Sequence, residues 1–498
     1  MNHLLRTTAL LGLAAALAVR LTGEEHNAWP VRVTQTDAAG TPRSWMSAGP
    51  FWFEKPAEGG GTVSGLRPFF VRTANAGGEL REATVLYPLY LYRQDSEVYS
   101  WSIFQLINRS GPRVGTVMAP NEGAGREALD VWPFWFSRDT GSPETSYRAL
   151  FPVAGTLKHR LGYDRLAWTL FPLYAQAEKH GATTTLTPWP FIRTTRGTEQ
   201  GFAFWPLFGW RDKPGEFHHQ YYLWPLIWNH TRQPEPDAPA NTAPARQAGF
   251  LPFYTSSTRP GFVDKNFVWP FFGYTERTVP YRYHETRYLW PFAVQGRGDA
   301  RYVNRWGPFY THSIVKGVDK TWVLWPAWRQ SEWTADAIAQ TKTQFLFFLY
   351  WSLEQRSTTN PAAAPAEKTH LWPLFSAWDN GAGRRQFQLF SPLEVFFPSN
   401  RQVREAWTPL FALYRSEQRD PGYSRHELLW GAVTWRRTPT QREFHLGPLF
   451  SVESRPAGRR IALGNGLLGL KRSPATGGWR FFWFDFSSKP DDAPSTPR

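Results

Sequence analysis

A short word built on proline recurs along the chain and limits what it can fold into. Trp-Pro occurs at Trp29, Trp132, Trp189, Trp205, Trp224, Trp269, Trp290, Trp325 and Trp372. From 27 Trp and 42 Pro in 498 residues, chance gives about 2.3 such pairs. The full word is an aromatic residue or Leu, then Pro, then two or three bulky apolar residues. Phe204-Trp205-Pro206-Leu207-Phe208 and Leu223-Trp224-Pro225-Leu226-Ile227-Trp228 are good copies. Weaker ones sit at Pro50, Pro68, Pro88, Pro152, Pro172, Pro252, Pro308, Pro392, Pro409 and Pro448. Near Phe347, Gly431 and Leu467 the rhythm continues without proline. The pattern gives about 20 units of roughly 16 to 25 residues between residues 45 and 485, the signature of a repeat architecture.

Each unit reads as β structure. A proline in a helix interior costs about 3 kcal/mol, and the interval between words leaves no room for a pair of helices. The intervening segments are rich in Tyr, Thr, Val and Phe. They are punctuated by turn signals such as Asp212-Lys213-Pro214-Gly215, Gly296-Arg297-Gly298-Asp299 and Asn380-Gly381. Proline cannot donate to a sheet ladder, so it belongs at a strand start, edge or bulge. The expectation is an all-β fold of short hairpin-like repeats, two strands per unit, with the word at a bend between core and periphery. Bends repeated at fixed positions would close the sheet into a shallow barrel or ring.

Composition narrows the class. With 83 aromatic residues, 17% of the chain, it is not a disordered polymer. Without Cys it has no disulfide, thiol nucleophile or cysteine metal site. A mean hydropathy of −0.46 argues against a bundle of membrane helices. Arg6, the uncharged residues 7–19 and small residues at Ala16 and Ala18 read as a secretory signal. Glu24 stands where a lipidated Cys would have to be. The expected organisation is a signal peptide at 1–23, an extension at 24–44 and a single β-repeat domain at 45–487. That domain carries flexible inserts at 233–247 and 357–367, and a disordered tail follows at 488–498. The expected location is the periplasm or outer membrane of a Gram-negative-type bacterium.

An outer-membrane barrel would alternate apolar-out and polar-in over about ten residues per strand. Contiguous runs such as Phe204 to Phe208 read instead as strands buried on both faces. About 20 short units, each with an aromatic-Pro-apolar word on an exported chain, resemble the β-flower family. That resemblance implies hairpin petals around a shallow barrel with an apolar interior, and it implies no catalytic residues.

Candidate site residues fall into two sets. Trp132, Trp189, Trp205, Trp224, Trp269, Trp290, Trp325 and Trp372 are expected to form an aromatic core or to line an apolar cavity. Arg138, Arg193, Arg211, Arg277, Arg297, Arg329 and Arg415 follow the words. In the hairpin arrangement they gather on one rim, where they either meet anionic headgroups or simply keep an aromatic-rich chain soluble. Chemistry is otherwise thin. Gly464-Asn465-Gly466-Leu467-Leu468-Gly469 fits GxGxxG without βαβ context. Neighbouring His218 and His219 point to opposite faces of a strand and so cannot readily share an ion, with or without His230. Glu235, Asp237, Asp491 and Asp492 fall in loops, and Arg436-Arg437 and Arg459-Arg460 read as solvated turns. The expected function is a non-catalytic envelope protein, structural or binding a lipid or glycan. It has no cofactor or metal, touches a membrane surface and, despite a net charge of +15, takes no nucleic acid. The competing function is an outer-membrane barrel passing solutes.

Overall fold

The computed structural model describes residues 24–37, 41–57, 59–95, 97–113, 127–239, 241–419, 422–472 and 477–486. The expected signal segment and tail lie outside these residues. Among them are forty-five strands, β1 (Glu25–Ala28) to β45 (Trp479–Trp483), and two short helices, α1 (Arg401–Ala406) and α2 (Thr408–Phe411). The chain divides into two compact units, Met1–Arg93 with Ala335–Arg498, and Gln94–Thr334. The first holds the strands up to β8 (Tyr90–Gln94) and from β33 (Ile338–Phe345) onward. The second runs from β9 (Val98–Ile103) to β32 (Trp328–Ala335). The word rhythm crosses both divisions without a break, so the repeat does not mark them.

Within each unit every strand runs antiparallel to its neighbour in sequence, as in the ladder Gln200↔Asp212 to Phe204↔Phe208. Each word lies between an odd-numbered strand and the next even one, so all words of a unit occupy the same end of its strands. Forty-five strands contain 22 such joins, against the 20 or so units counted from the sequence. The first is Trp29-Pro30, between β1 and β2 (Arg32–Thr36), so residues 24–44 already belong to the repeat. The inserts at 233–247 and 357–367 fall at the opposite, polar ends. There β23 (Ala245–Phe250) and β35 (Ala366–Leu371) begin inside them.

Closure does not occur. Among the described residues no strand pairs with any but its sequence neighbours, so neither unit is the closed shallow barrel or ring that the rhythm suggests. The physical reason is the place of the word. It forms turns and not bulges, and of the register shifts only that at Arg287/Leu289 abuts a word, those at Gln35/Thr36 and Thr73/Ala74 lying elsewhere. The device that would bend the sheet at every repeat is therefore missing.

The tryptophans of the words do not form the core either. Trp132, Trp189, Trp205, Trp224, Trp269, Trp290 and Trp325 are exposed and Trp372 is half-buried, because a turn projects its side chains beyond the sheet. The buried apolar clusters are small. In the second unit Phe136, Tyr147, Leu157 and Trp168 pack together. In the first, Phe53, Val63 and Val71 pack on Ala406 of α1. Asn400 caps that helix by accepting from the Val403 N–H (2.9 Å), and Glu405 pairs with Lys55 (2.6 Å).

Candidate functional site

Each word closes a hairpin tip, except those at Pro392 and Pro409, which lie in the helical connection between β37 (Arg384–Leu389) and β38 (Tyr414–Arg419). Between β21 (Phe217–Tyr222) and β22 (Ile227–Arg232), the Leu226 N–H donates to the Leu223 carbonyl (2.7 Å) across a cis Trp224-Pro225 bond. The tip also bonds to the one before it. The Leu223 N–H donates to the Leu207 carbonyl (2.6 Å) and the Trp224 N–H to the Pro206 carbonyl (2.7 Å). The same two bonds join Val268 and Trp269 to Phe253 and Pro252 (2.8 and 2.7 Å). Proline fits because the ladder asks only its carbonyl to accept, so the missing N–H is not needed. Below each tip a cross-strand pair of large apolar residues closes the hairpin, as Tyr222↔Ile227, Phe267↔Phe272 and Trp306↔Tyr310 do. All six are exposed.

The residues at the tips are the wrong ones for stability in water. Leu170, Leu223, Val268 and Leu324 open their turns with φ between +45° and +48°. A left-handed conformation costs a residue with a Cβ roughly 1–2 kcal/mol. These side chains are also 56, 51, 49 and 58% exposed. Where proline is absent, Leu346-Phe347 and Leu429-Trp430 hold both central positions left-handed, the geometry that favours Asn-Gly. The opposite ends of the strands follow the ordinary rule, with Gly181 after His180 and Gly317 after Lys316. Most tight turns at one end thus use small or polar residues, Leu161 (φ +55°) being an exception, and most at the other use bulky apolar ones, with Gly307, Gly447 and Gly464 opening three of the tips.

The arginines do not form a ring at one level. All seven lie on even-numbered strands running away from the tips, at differing depths. Arg193 is the second residue of β18 (Ile192–Gly197), while Arg277 is the last of β26 (Phe272–Arg277). Arg138 and Arg297 fall between these extremes, within β12 (Trp135–Asp139) and β28 (Ala293–Gly298). Several are already engaged. Arg211 pairs with Glu199 (3.4 Å), Arg329 lies over the Trp322 ring (4.8 Å) and Arg277 donates to the Tyr281 hydroxyl (2.9 Å). Arg415 lines a cavity in the first unit.

Charge lies instead on the buried face. In the first unit β40 (Val433–Arg437) and β41 (Arg442–Leu446) alternate between buried and exposed positions, and β39 (Tyr423–Leu428) and β42 (Phe450–Arg455) flank them. Arg425, Glu427, Arg436, Glu443, His445 and Glu453 point inward, while Leu428, Trp435, Phe444 and Leu446 are exposed. Arg425 Nε bonds Glu25 (2.9 Å), Arg436 bonds Glu443 (2.7 Å) and Arg455 bonds Glu453 (2.8 Å). Burial pushes the Glu25 carboxyl up, but Arg425 and His445 outweigh it and hold the group at about 2. Burial wins at Glu443, whose carboxyl is pushed up to about 7 despite Arg436. Arg436 is therefore an interior ion-pair partner and not part of a solvated turn. In the second unit Arg287 bridges Asp264 (3.1 Å) and Glu285 (2.9 Å). Sequence reading missed these groups, although their i, i+2 spacing was visible.

The remaining motifs build no catalytic arrangement. Gly464 to Leu467 is a tip turn between β43 (Gly458–Leu463) and β44 (Leu468–Arg472). His219 faces His230 across a strand pair with ring centroids 5.6 Å apart. Among the described residues no group of three His, Asp or Glu is placed to hold a metal ion. Compared with known protein families and with characterised proteins, the sequence matches none.

Proposed function

We propose that this is a non-catalytic protein of a bacterial cell envelope that docks into a lipid bilayer through the apolar tips of its hairpins. The observation that carries this reading is the double cost at the tips, where Leu and Val occupy left-handed backbone while exposed to solvent. Strained positions that persist against a cheaper residue point to function. Soluble proteins rarely present contiguous apolar surface beyond a few hundred Å². Trp and Tyr beside Leu and Phe are also the side chains that settle at a membrane interface. The aromatic residues thus act as a rim, with the charge inside, the reverse of the aromatic core and basic rim read from the sequence.

The strands bear on the depth of insertion. They have four to eight residues, the longest being Trp328–Ala335, Ile338–Phe345 and Tyr350–Ser357. A spanning strand needs about 9–11 residues. Docking into one leaflet fits this length better than crossing both. The barrel reading has one observation in its favour, the apolar-out, polar-in alternation of β40 and β41.

Vesicles carrying bromine on their acyl chains test the proposal. Docking predicts strong quenching of the tip tryptophans, with a residue of unquenched emission from buried Trp168 and Trp351. Unchanged emission from protein mixed with vesicles would overturn it. Stepwise ion conductance in a planar bilayer would favour the solute-passing barrel instead.

A further inference from the structure

In the first unit a cavity of about 770 Å³ lies among the segments around Arg43 and Lys55, the strands β35 and β36 (Phe375–Asp379), α1, and the strands β38 (Tyr414–Arg419) to β40. Its volume is that of a small-molecule site, which runs from about 300 to 1,000 Å³. Its charge is lopsided. Ten Lys and Arg residues line it against three carboxylates, Glu394, Glu405 and Glu417. Arg425 and Arg436 are balanced from behind by Glu25, Glu427 and Glu443. That leaves eight cations for the three glutamates.

Those glutamates are already engaged. Glu394 pairs with Lys368 (3.2 Å), Glu405 with Lys55 (2.6 Å) and Glu417 with Arg419 (2.5 Å). Among the described residues no carboxylate lies within ion-pair distance of Arg43, Arg404 or Arg415. The crowding has an electrostatic consequence. Burial holds the Lys55 ammonium below its ordinary value, and Arg415 and Arg67 add to the effect while Glu405 opposes it. So much uncompensated positive charge in one concavity calls for anionic groups. Arginine forks match the oxygens of phosphate in pairs.

A second observation concerns the uncharged part of a ligand. His370 lines the same cavity, is only 1% exposed, and neither ring nitrogen has a hydrogen-bond partner. Its ring packs on Trp351 with centroids 4.4 Å apart, which fixes its orientation. Burial, with Lys368 nearby, pushes its pKa down to about 4, so the imidazole is neutral at pH 7. A neutral imidazole presents one donor and one acceptor, the complement of a hydroxyl group and not of a phosphate. Trp378 adds an aromatic side chain to the lining of the same cavity.

We propose that this cavity binds a sugar or polyol carrying two or more phosphate groups, with Arg404 and Arg415 on the phosphates and His370 on a hydroxyl. The proposal stands apart from the rim, which uses other residues. Two sources share this chemistry, a free sugar phosphate and the phosphorylated sugar headgroup of a lipid.

Calorimetric titration of the full chain with fructose 1,6-bisphosphate, and separately with pyrophosphate, tests it. Saturable binding of the bisphosphate is expected, weakened at least about tenfold in R404Q/R415Q, since each lost bond to a charged group is worth about that factor. H370Q is expected to weaken the sugar bisphosphate and leave pyrophosphate unchanged. Circular dichroism shows whether each variant retains its fold. Phosphatidylcholine vesicles doped with a diphosphorylated disaccharide lipid separate the sources. Binding of the soluble sugar assigns a free ligand, whereas R404Q/R415Q-sensitive binding of the doped vesicles alone assigns a headgroup. If folded protein binds neither probe, or binds them with no effect of R404Q/R415Q, the proposal is wrong. Loss of docking to undoped vesicles would instead count against the rim.

Discussion

A variant carrying L170N, L223N, V268N and L324N is expected to fold at least as well as the parent and to bind vesicles roughly a thousandfold more weakly. The two halves of this result have separate causes. All four residues open turns with positive φ. Asparagine tolerates that region better than Leu or Val, and β-branched Val least of all. Each replacement therefore relieves backbone strain and removes an exposed apolar group without touching a packed core. In the bilayer the same side chains contribute. Full burial of a Leu is worth about 1.5–3 kcal/mol, so a half-exposed one gives about 1 kcal/mol, and four give about 4. Because 1.4 kcal/mol is a factor of ten, the partition constant should fall about three decades. Urea denaturation and vesicle sedimentation on the same preparations read both halves. A stability loss like that of a core substitution would mean the tips are structural, and unchanged sedimentation would remove the docking role.

Much of this architecture could be read in the chain, and the failures share a physical cause. Proline every 19 or so residues argues against a helical repeat, although α1 and α2 occupy one connection. The polar turns between words make two strands per unit the economical reading, beside a meander of single strands. On the hairpin reading all words share one end, as they do. What remained open was whether the word bends a sheet or ends a hairpin. A residue without an N–H suits both places, and only the bonds from Leu223 and Trp224 to the preceding tip settle it. The aromatic runs mislead, since Phe204 to Phe208 reads in the sequence as one strand buried on both faces. It is two strand ends and a turn. That reading hid the alternation of Trp435 with Arg436 and of Glu443 with Phe444, which places charge on one face. The partners of that face are not local. Glu25 meets Arg425 four hundred positions away, and Glu405 reaches Lys55 only because α1 folds over the first unit. No periodicity encodes such pairs.

The charged face makes the second strong prediction, a stability effect with a defined pH window. The Glu25 carboxyl is buried against Arg425, whose opposite charge and hydrogen bond, with His445, hold it at about 2 against an ordinary 4.5. A group with a depressed folded pKa stabilises fully above its unfolded value, and that stability is lost as pH falls through the folded one. The window therefore runs from about pH 4.5 down to about pH 2, and the depression corresponds to about 3 kcal/mol. Glu25→Gln should accordingly lower the unfolding free energy by about 3 kcal/mol at pH 7. The gap to the parent should close as pH falls across that window. Arg425→Met should cost about 3–5 kcal/mol, because it leaves a carboxylate buried without its partner. Replacing Glu25, Arg425 and Glu427, which Arg425 also bonds (2.5 Å), together by Met should recover most of that loss, since apolar side chains need neither desolvation nor pairing. Urea curves for the parent and three variants at several pH values decide the matter, and parallel pH profiles for the parent and Glu25→Gln would refute it. Recovery in the triple variant would mean that the interior charge is not retained for stability. The pair would then owe its place to what the charged wall faces, the cavity that Arg425 lines.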